Sequence, residues 1–346
     1  MRNQLRIVFF ADTHLGFDYP IRPRVDRRRR GEDFFANFHR VLRYAAHTRP
    51  DLVLHGGDLF FRSRVPLKIV DVVYHGLSRF AQNGIPLILV PGNHERGNLP
   101  SSLWLSAPNV YVLDRPRTFH VEAPGATLAI SGFPFVRDGI RRRFRQLLAE
   151  TDWASSSAPV KLLCIHQAVE GAQVGPSSYT FRSGDDVVKM AEIPRGFVAV
   201  LAGHIHRKQI LGQRRSETPV IYPGSIERTS FAEKEEPKGF FEITLAADEA
   251  GEWHLQRADF HELPSRPMVD LEIDAASMQS ALKTYLIERI ASLDENAIVR
   301  LRCKGSPAES VGKLLTASFL RTVFPHTMNV QLAAEFFRFP DLATPL

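Results

Sequence analysis

The sequence predicts an α/β fold of layered sheets flanked by helices, with a small α+β unit towards its C-terminal end. Three observations carry this. Short apolar runs alternate with helix-patterned segments early in the chain. A polar stretch with two prolines, His261–Pro267 (HELPSRP), interrupts the pattern, and a second alternation of strands and helices starts after it.

The runs Leu5–Ala11 (LRIVFFA), Asp51–Leu54 (DLVL) and Pro86–Val90 (PLILV) are short and continuously apolar, as buried strands are, and helical patterns near 33–47 and 66–82 separate them. That β-α-β-α-β order, with right-handed crossovers, gives a parallel sheet whose carboxyl edge gathers the connecting loops. Further strands are expected at Val110–Leu113, Thr127–Ser131, Val160–Ile165, Phe197–Leu201, Val220–Tyr222 and Phe240–Leu245. Fewer helices separate these, so the later part reads as an added, more β-rich layer. Beyond the interruption come strand 268–273, helix 276–292, strand 297–303, helix 307–319 and a strand near 326–332. The expected division is a main domain over 1–262 and a small capping domain over 267–346.

With 346 residues and 44% hydrophobic composition the chain can bury a full core. Forty-four Lys and Arg against 38 Asp and Glu leave a net charge of +6, which favours polyanionic partners. Cys164 and Cys303 each sit in an apolar strand-like run and read as buried thiols, not as a disulfide or zinc ligands. That fits a reducing compartment. No apolar span approaches membrane length, and Met1–Gln4 runs straight into a strand, so the expectation is a soluble, cytoplasmic protein with no membrane partner.

Five polar clusters, each after a strand-like run, carry the chemistry: Asp12-Thr13-His14, Gly57-Asp58, Gly92-Asn93-His94-Glu95, His166 and Gly203-His204-Ile205-His206. Singly, each has an ordinary explanation as a turn, a helix cap, a loop or a core histidine. Their recurrence at strand ends, in one order, argues for one site built around a pair of metal ions. Carboxylate, amide and imidazole donors together suit Mn²⁺ and related transition metals. Asp58 follows two glycines at the end of a buried strand, which makes it the natural bridge between two ions. Asp12 with His14, and His204 with His206, have the period-2 spacing that shares one face of an extended chain. Such a pair activates water for in-line attack on phosphorus. His94 is placed to protonate the leaving oxygen, and His55 is a second imidazole able to orient that chemistry.

These residues resemble the calcineurin-like metallophosphoesterase superfamily, whose blocks match Asp12/His14, Asp58, Asn93/His94, His166 and His204/His206. Within it, ADTHLG at 11–16, GDLF at 57–60, GHIHR at 203–207, YPGSIER at 222–228, FAE at 231–233 and KGF at 238–240 are similar to the DNA-repair exonuclease branch, the SbcD-type nuclease subunits. The likeness covers most of residues 5–245. It implies a four-layer β-sandwich flanked by helices, with Asp12, His14, Asp58 and His206 on one Mn²⁺ and Asp58, Asn93, His166 and His204 on the other. It also implies His94 as the non-ligand that assists the leaving group, DNA as substrate, 3′-to-5′ exonuclease and endonuclease action, a homodimer and an SMC-like ATPase partner. Two features depart from that pattern: Glu95 stands where Asp is more usual, and the stretch up to Leu346 leaves little room for the C-terminal helices that bind the ATPase.

Arg27, Arg28, Arg29 and Arg30 form a basic run beyond the first cluster, where a phosphate backbone is expected to pass. Arg141–Arg143 with Arg145 reads as the outer face of a helix, and neither run has the interleaved aromatics of a stacking platform. The leading functional reading is a Mn²⁺-dependent DNA nuclease. Its rivals are a phosphatase or phosphodiesterase for small or protein-borne phosphates and a non-catalytic DNA-end scaffold, the latter disfavoured by the complete ligand set.

Overall fold

A computed structural model describes residues 3–18, 28–96, 99–103, 107, 109–212, 217–274, 281–304 and 314–333, with only the backbone at 303 and 304. Along the chain come β1 (Gln4–Phe10), α1 (Arg30–Thr48), β2 (Leu52–His55), α2 (Leu67–Ala81), β3 (Leu87–Leu89) and β4 (Val110–Val112). They are followed by β5 (Arg117–Ala123), β6 (Ala126–Gly132), α3 (Ile140–Glu150), β7 (Val160–His166) and the two-residue strands β8 (Ala168–Val169), β9 (Gln173–Val174), β10 (Tyr179–Thr180) and β11 (Val187–Val188). Next are β12 (Ala199–Gly203), β13 (Gln209–Leu211), β14 (Val220–Tyr222), β15 (Gly239–Ala247) and β16 (Trp253–Glu262). Last come β17 (Met268–Asp274), α4 (Leu282–Ala291), β18 (Ile298–Lys304), α5 (Ala317–Val323) and β19 (Asn329–Leu332). They form two compact units, Met1–Phe17 with Asp33–Ser265, and Asp18–Glu32 with Arg266–Leu346.

The large unit holds two six-stranded sheets, ordered β16-β15-β1-β2-β3-β4 and β13-β14-β12-β7-β6-β5. In the first, β1 to β4 are parallel and β15 and β16 add antiparallel strands. In the second, β6, β7, β12 and β14 are parallel, with antiparallel β5 and β13 at the two edges. Strand alternation puts Leu5, Ile7, Phe9, Leu54 and Ile88 of one sheet into a single buried core with Ile130, Leu162, Cys164, Leu201 and Ile221 of the other. The residues between them face outwards: Phe10 meets Phe38 of α1 at 6.4 Å between ring centroids. Leu163, Ile165, Val200 and Ala202 cluster with Ile140, Phe144, Leu147 and Leu148 of α3. Helix, sheet, sheet and helix are therefore stacked, and the expected α/β layering is what forms. Each fully buried Leu, Ile or Phe contributes about 1.5–3 kcal/mol towards holding the layers together.

The second unit packs β17, β18 and β19, all parallel, against α4 and α5 through Leu271, Ile273, Leu286, Val299, Leu301 and Leu320. The helix expected at 307–319 falls partly outside the described residues; the described helix is α5, starting where the Thr316 hydroxyl accepts the Phe319 N–H at 3.2 Å. The β5 and β16 strands were not expected from sequence, because polar residues interrupt both and each lies at a sheet edge with modest burial. Cys164 is a buried free thiol, whereas the Cys303 side chain lies outside the described set. Among the described residues no helix is long and apolar enough to cross a membrane.

Candidate metal centre

The carboxyl ends of β1, β2, β3, β7 and β12 present the five clusters. Register between the first two loops is set by backbone bonds from Asp12 N–H to Gly57 O (2.9 Å) and from His14 N–H to Asp58 O (3.0 Å). Asp12, His14, Asp58 and His204 all have left-handed backbones, at φ 52°, 44°, 53° and 87°. Non-glycine residues seldom adopt that region, and such strain concentrates where function over-determines the chain. Here it turns four polar side chains off their strands towards a common point. Gly57, at φ 110°, is required twice over, because a Cβ there would also lie 2.1 Å from His166 Nδ1.

The donor atoms converge. Asp12, His14 and His206 place one ligand atom each within 4.8 Å of one another, as do His14, Asp58 and His94, and Asp12, Asp58 and His166. Asn93 Oδ1 completes the set, 2.9 Å from His166 Nε2 and 2.8 Å from His204 Nδ1. Proton positions follow from the partners. His166 Nδ1–H donates to Gly56 O at 2.8 Å, so in its neutral form the ring would aim its Nε2 lone pair at Asn93 Oδ1 and at Asp58 Oδ2, 3.4 Å away. His206 Nδ1–H donates to Glu233 Oε1 at 3.2 Å, which aims Nε2 at His14 Nε2, 2.9 Å away. With these rings neutral, lone pairs of nitrogen and oxygen face one another across short gaps, an arrangement that cations, or protons in their place, resolve. The donor set fits hard-to-borderline divalent metals. Asp12, His14, His166 and, at 2% exposure, Asp58 are buried, so the charges they hold are weakly screened.

The electrostatics agree. Burial alone would raise the Asp58 carboxyl, but the imidazoles, His166 foremost, hold it ionised and well below the usual carboxylate range. Burial pushes Asp12 up to about 6 against the pull of His166 and His206. Burial drives His14 and His204 strongly towards the neutral form, His204 to about 3, which is the form that ligates metal. Burial also opposes charge on His166, yet Asp58 and Asp12 raise it to about 9: the field at that point draws a positive charge.

His94 lies at the rim with its side chain 32% exposed, its backbone N–H on Asp58 Oδ1 (2.8 Å) and its Nδ1–H on Phe61 O (2.7 Å). His55 is placed differently. It is fully buried, its Nδ1 accepting the Gly57 N–H at 3.2 Å and its Nε2 meeting the Thr13 hydroxyl at 3.0 Å, and burial lowers it to about 3. It braces two ligand loops from behind. Arg28 bonds Asn296 Oδ1 at 2.7 Å and Arg29 pairs with Asp18 at 2.6 Å, Arg30 begins α1, and Arg27 lies outside the described residues.

Several further residues belong to the site. Glu95 accepts from Phe60 N–H (2.6 Å) and Gly92 N–H (2.7 Å), tying the second loop to the third, and burial raises its carboxyl to about 8. Phe61 and Phe135 flank the imidazoles, Phe61 at 5.4 Å from His94 and Phe135 at 5.6 Å from His204. Glu233 and Lys238 stand behind His206. Their only sequence signal was their presence in the FAE and KGF stretches.

Residues 5–208 match the family model for calcineurin-like phosphoesterases, more than half of the chain. The chain belongs to the calcineurin-like phosphoesterase family. Among curated members, it is 27% identical to the DNA double-strand break repair protein Mre11 of Methanocaldococcus jannaschii over 80% of this chain and 72% of that protein. It is 26% identical to the protein of the same name from Aeropyrum pernix, over 78% of this chain and 63% of that protein. It is also 26% identical to the uncharacterized metallophosphoesterase YhaO of Bacillus subtilis, over 89% of this chain and 71% of that one. As a calcineurin-like phosphoesterase, the chain is a metal-dependent enzyme, and the converging Asp and His groups are candidate ligand clusters for divalent metals.

Proposed function

We propose that this phosphoesterase hydrolyses phosphodiester bonds in DNA, as an exonuclease and endonuclease acting at DNA ends in repair or recombination, with two Mn²⁺ ions. The observation that carries the reading is the convergence of seven donors from both sheets on one point with His94 at its rim. The likeness to two archaeal proteins named for double-strand break repair supports DNA as the substrate.

In this reading Asp12, His14, Asp58 and His206 hold one ion, and Asp58, Asn93, His166 and His204 the other. When bound, such a pair supplies a nucleophile at neutral pH and stabilises charge on the phosphoryl oxygens. The protein supplies the rest. His94 has its Nδ1 committed to Phe61 O, so Nε2 is the atom that passes a proton to the departing oxygen. His55, through Thr13 and Gly57, is a positioning residue for the ligand loops. The net charge of +6 and the run Arg27–Arg30 are assigned to the phosphate backbone. By resemblance to the SbcD-type nucleases, the proposal extends to a cytoplasmic homodimer working with an SMC-like ATPase.

The test is a panel of end-labelled duplex, single strand and hairpin DNA beside aryl phosphomonoesters and phosphodiesters, each incubated with purified protein and Mn²⁺. Shortening of DNA from its ends, weakening steeply with salt, is expected. Brisk phosphomonoester turnover with intact DNA would move the protein to the phosphatase reading, and metal uptake with no hydrolysis to a scaffold.

A further inference from the structure

We infer that Glu233 and Lys238 act as one clamp on His206, positioning residues that fix the ring and the backbone of this histidine so that its Nε2 meets a metal. The inference rests on the metal centre proposed above and assigns how one of its ligands is held. Glu233 lies in a short 3-10 turn, Phe231–Glu233, far in sequence from His206. Its Oε1 accepts the His206 Nδ1–H at 3.2 Å and the Thr229 hydroxyl at 2.5 Å, and its Oε2 lies 2.7 Å from Lys238 Nζ. Lys238 Nζ reaches past the carboxylate to donate to the His206 carbonyl at 3.0 Å, and also bonds Glu236 Oε2 at 3.2 Å. Ring and main chain of one residue are thus gripped by the two halves of one ion pair.

The grip is costly to build, which argues for a purpose. Lys238 is fully buried, and an ammonium is almost never buried without full compensation. Replacing such a pair with apolar residues is often neutral or stabilising, so stability alone is a poor reason to keep it. Orientation is a better one. With Nδ1 bound to a carboxylate, the imidazole keeps its lone pair on Nε2 and becomes a stronger donor, as metal-binding histidines with a carboxylate partner do. Among the described residues His14 has no such brace, its buried Nδ1 meeting no hydrogen-bond partner there, so the ion that these two histidines share depends on the clamp at His206.

Calorimetric titration of the metal-free full chain with Mn²⁺ tests this, with a thermal unfolding midpoint recorded for every variant. Wild type is expected to take up two ions. Glu233→Gln should weaken only the ion that includes His206, by about 10–100-fold, and leave the other as in wild type. Lys238→Met, which keeps the carboxylate on the ring, should weaken the same ion by less. If Glu233→Gln does not fold, the charge-balanced double variant with Lys238→Met carries the test, and the same selective loss is expected. Unchanged uptake of both ions would overturn the clamp while leaving the metal centre standing. Equal weakening of both ions in step with a lowered midpoint would reduce the pair to packing and overturn it too. A wild-type protein that binds no ion would overturn the metal centre itself and the clamp with it.

Discussion

His94 Nε2 lies 3.9 Å from Asp58 Oδ2, yet the surroundings of the two side chains differ. Asp58 is buried and faces three imidazoles, and in the proposed arrangement it is the carboxylate the two ions share, so removing it takes a ligand from both. His94 is a third exposed and is anchored through Nδ1 and its backbone N–H, so under the proposed mechanism its ring serves the leaving group and not the cage. Asp58→Ala is therefore expected to abolish binding of the ion pair and all hydrolysis. His94→Gln should keep two ions per chain and slow hydrolysis by about 10²–10⁴-fold, the usual worth of a general acid. Ion counting by elemental analysis beside single-turnover rates checks both; normal turnover in His94→Gln would remove it from proton transfer. These candidate ligands were legible because each sits in a short local motif at a strand end. Glu95 was visible only as a departure from a motif, since its bond from the Phe60 N–H joins two loops that sequence does not connect.

At the level of elements, the sheets govern how closely the loops approach. The β2 and β3 strands are parallel neighbours, His55 opposite Leu89, so the residues that follow them run side by side. A Cβ on Gly92 would fall 2.2 Å from Asp58 Oδ1 and 2.3 Å from Asp58 N, contacts that only movement of one loop can relieve. Gly92→Ala is expected to destabilise the fold by about 1–3 kcal/mol, as overpacking of a tight site does, and to weaken metal uptake because Asp58 must move. Denaturant unfolding of the metal-free protein measures the first effect and Mn²⁺ titration the second; an unperturbed midpoint would show that the two loops separate at no cost. Elements themselves were readable in proportion to burial. The continuous apolar runs of β1, β2, β3, β7 and β12 are enclosed on both faces and stood out, whereas β5 and β16 carry charged residues among apolar ones at the sheet edges and did not.

For the whole molecule, the informative feature is that the second unit is discontinuous. Residues Asp18–Glu32 belong with Arg266–Leu346, not with the strands on either side of them in sequence. Arg28 shows the reason: its N–H donates to His326 O at 3.1 Å, its carbonyl accepts from Asn329 Nδ2 at 3.0 Å, and its guanidinium bonds Asn296. In sequence this basic run reads as a path for a phosphate backbone, because nothing local announces partners within the chain some three hundred residues away. The consequence is testable by deleting residues 266–346. The truncated chain keeps both sheets and every proposed ligand, so it should still take up two Mn²⁺ ions. The stretch around Arg28 loses its hydrogen-bond partners, and local opening there becomes easier. Tryptic cleavage after Arg28 should then accelerate about tenfold or more relative to the full chain, the effect of about 1.4 kcal/mol lost from local closure when opening is fast. Mass spectrometry of a cleavage time course reads this directly. Equal rates in the two chains would mean that Arg28 is held by the large unit, and that the segment's grouping with the C-terminal sheet is not what protects it.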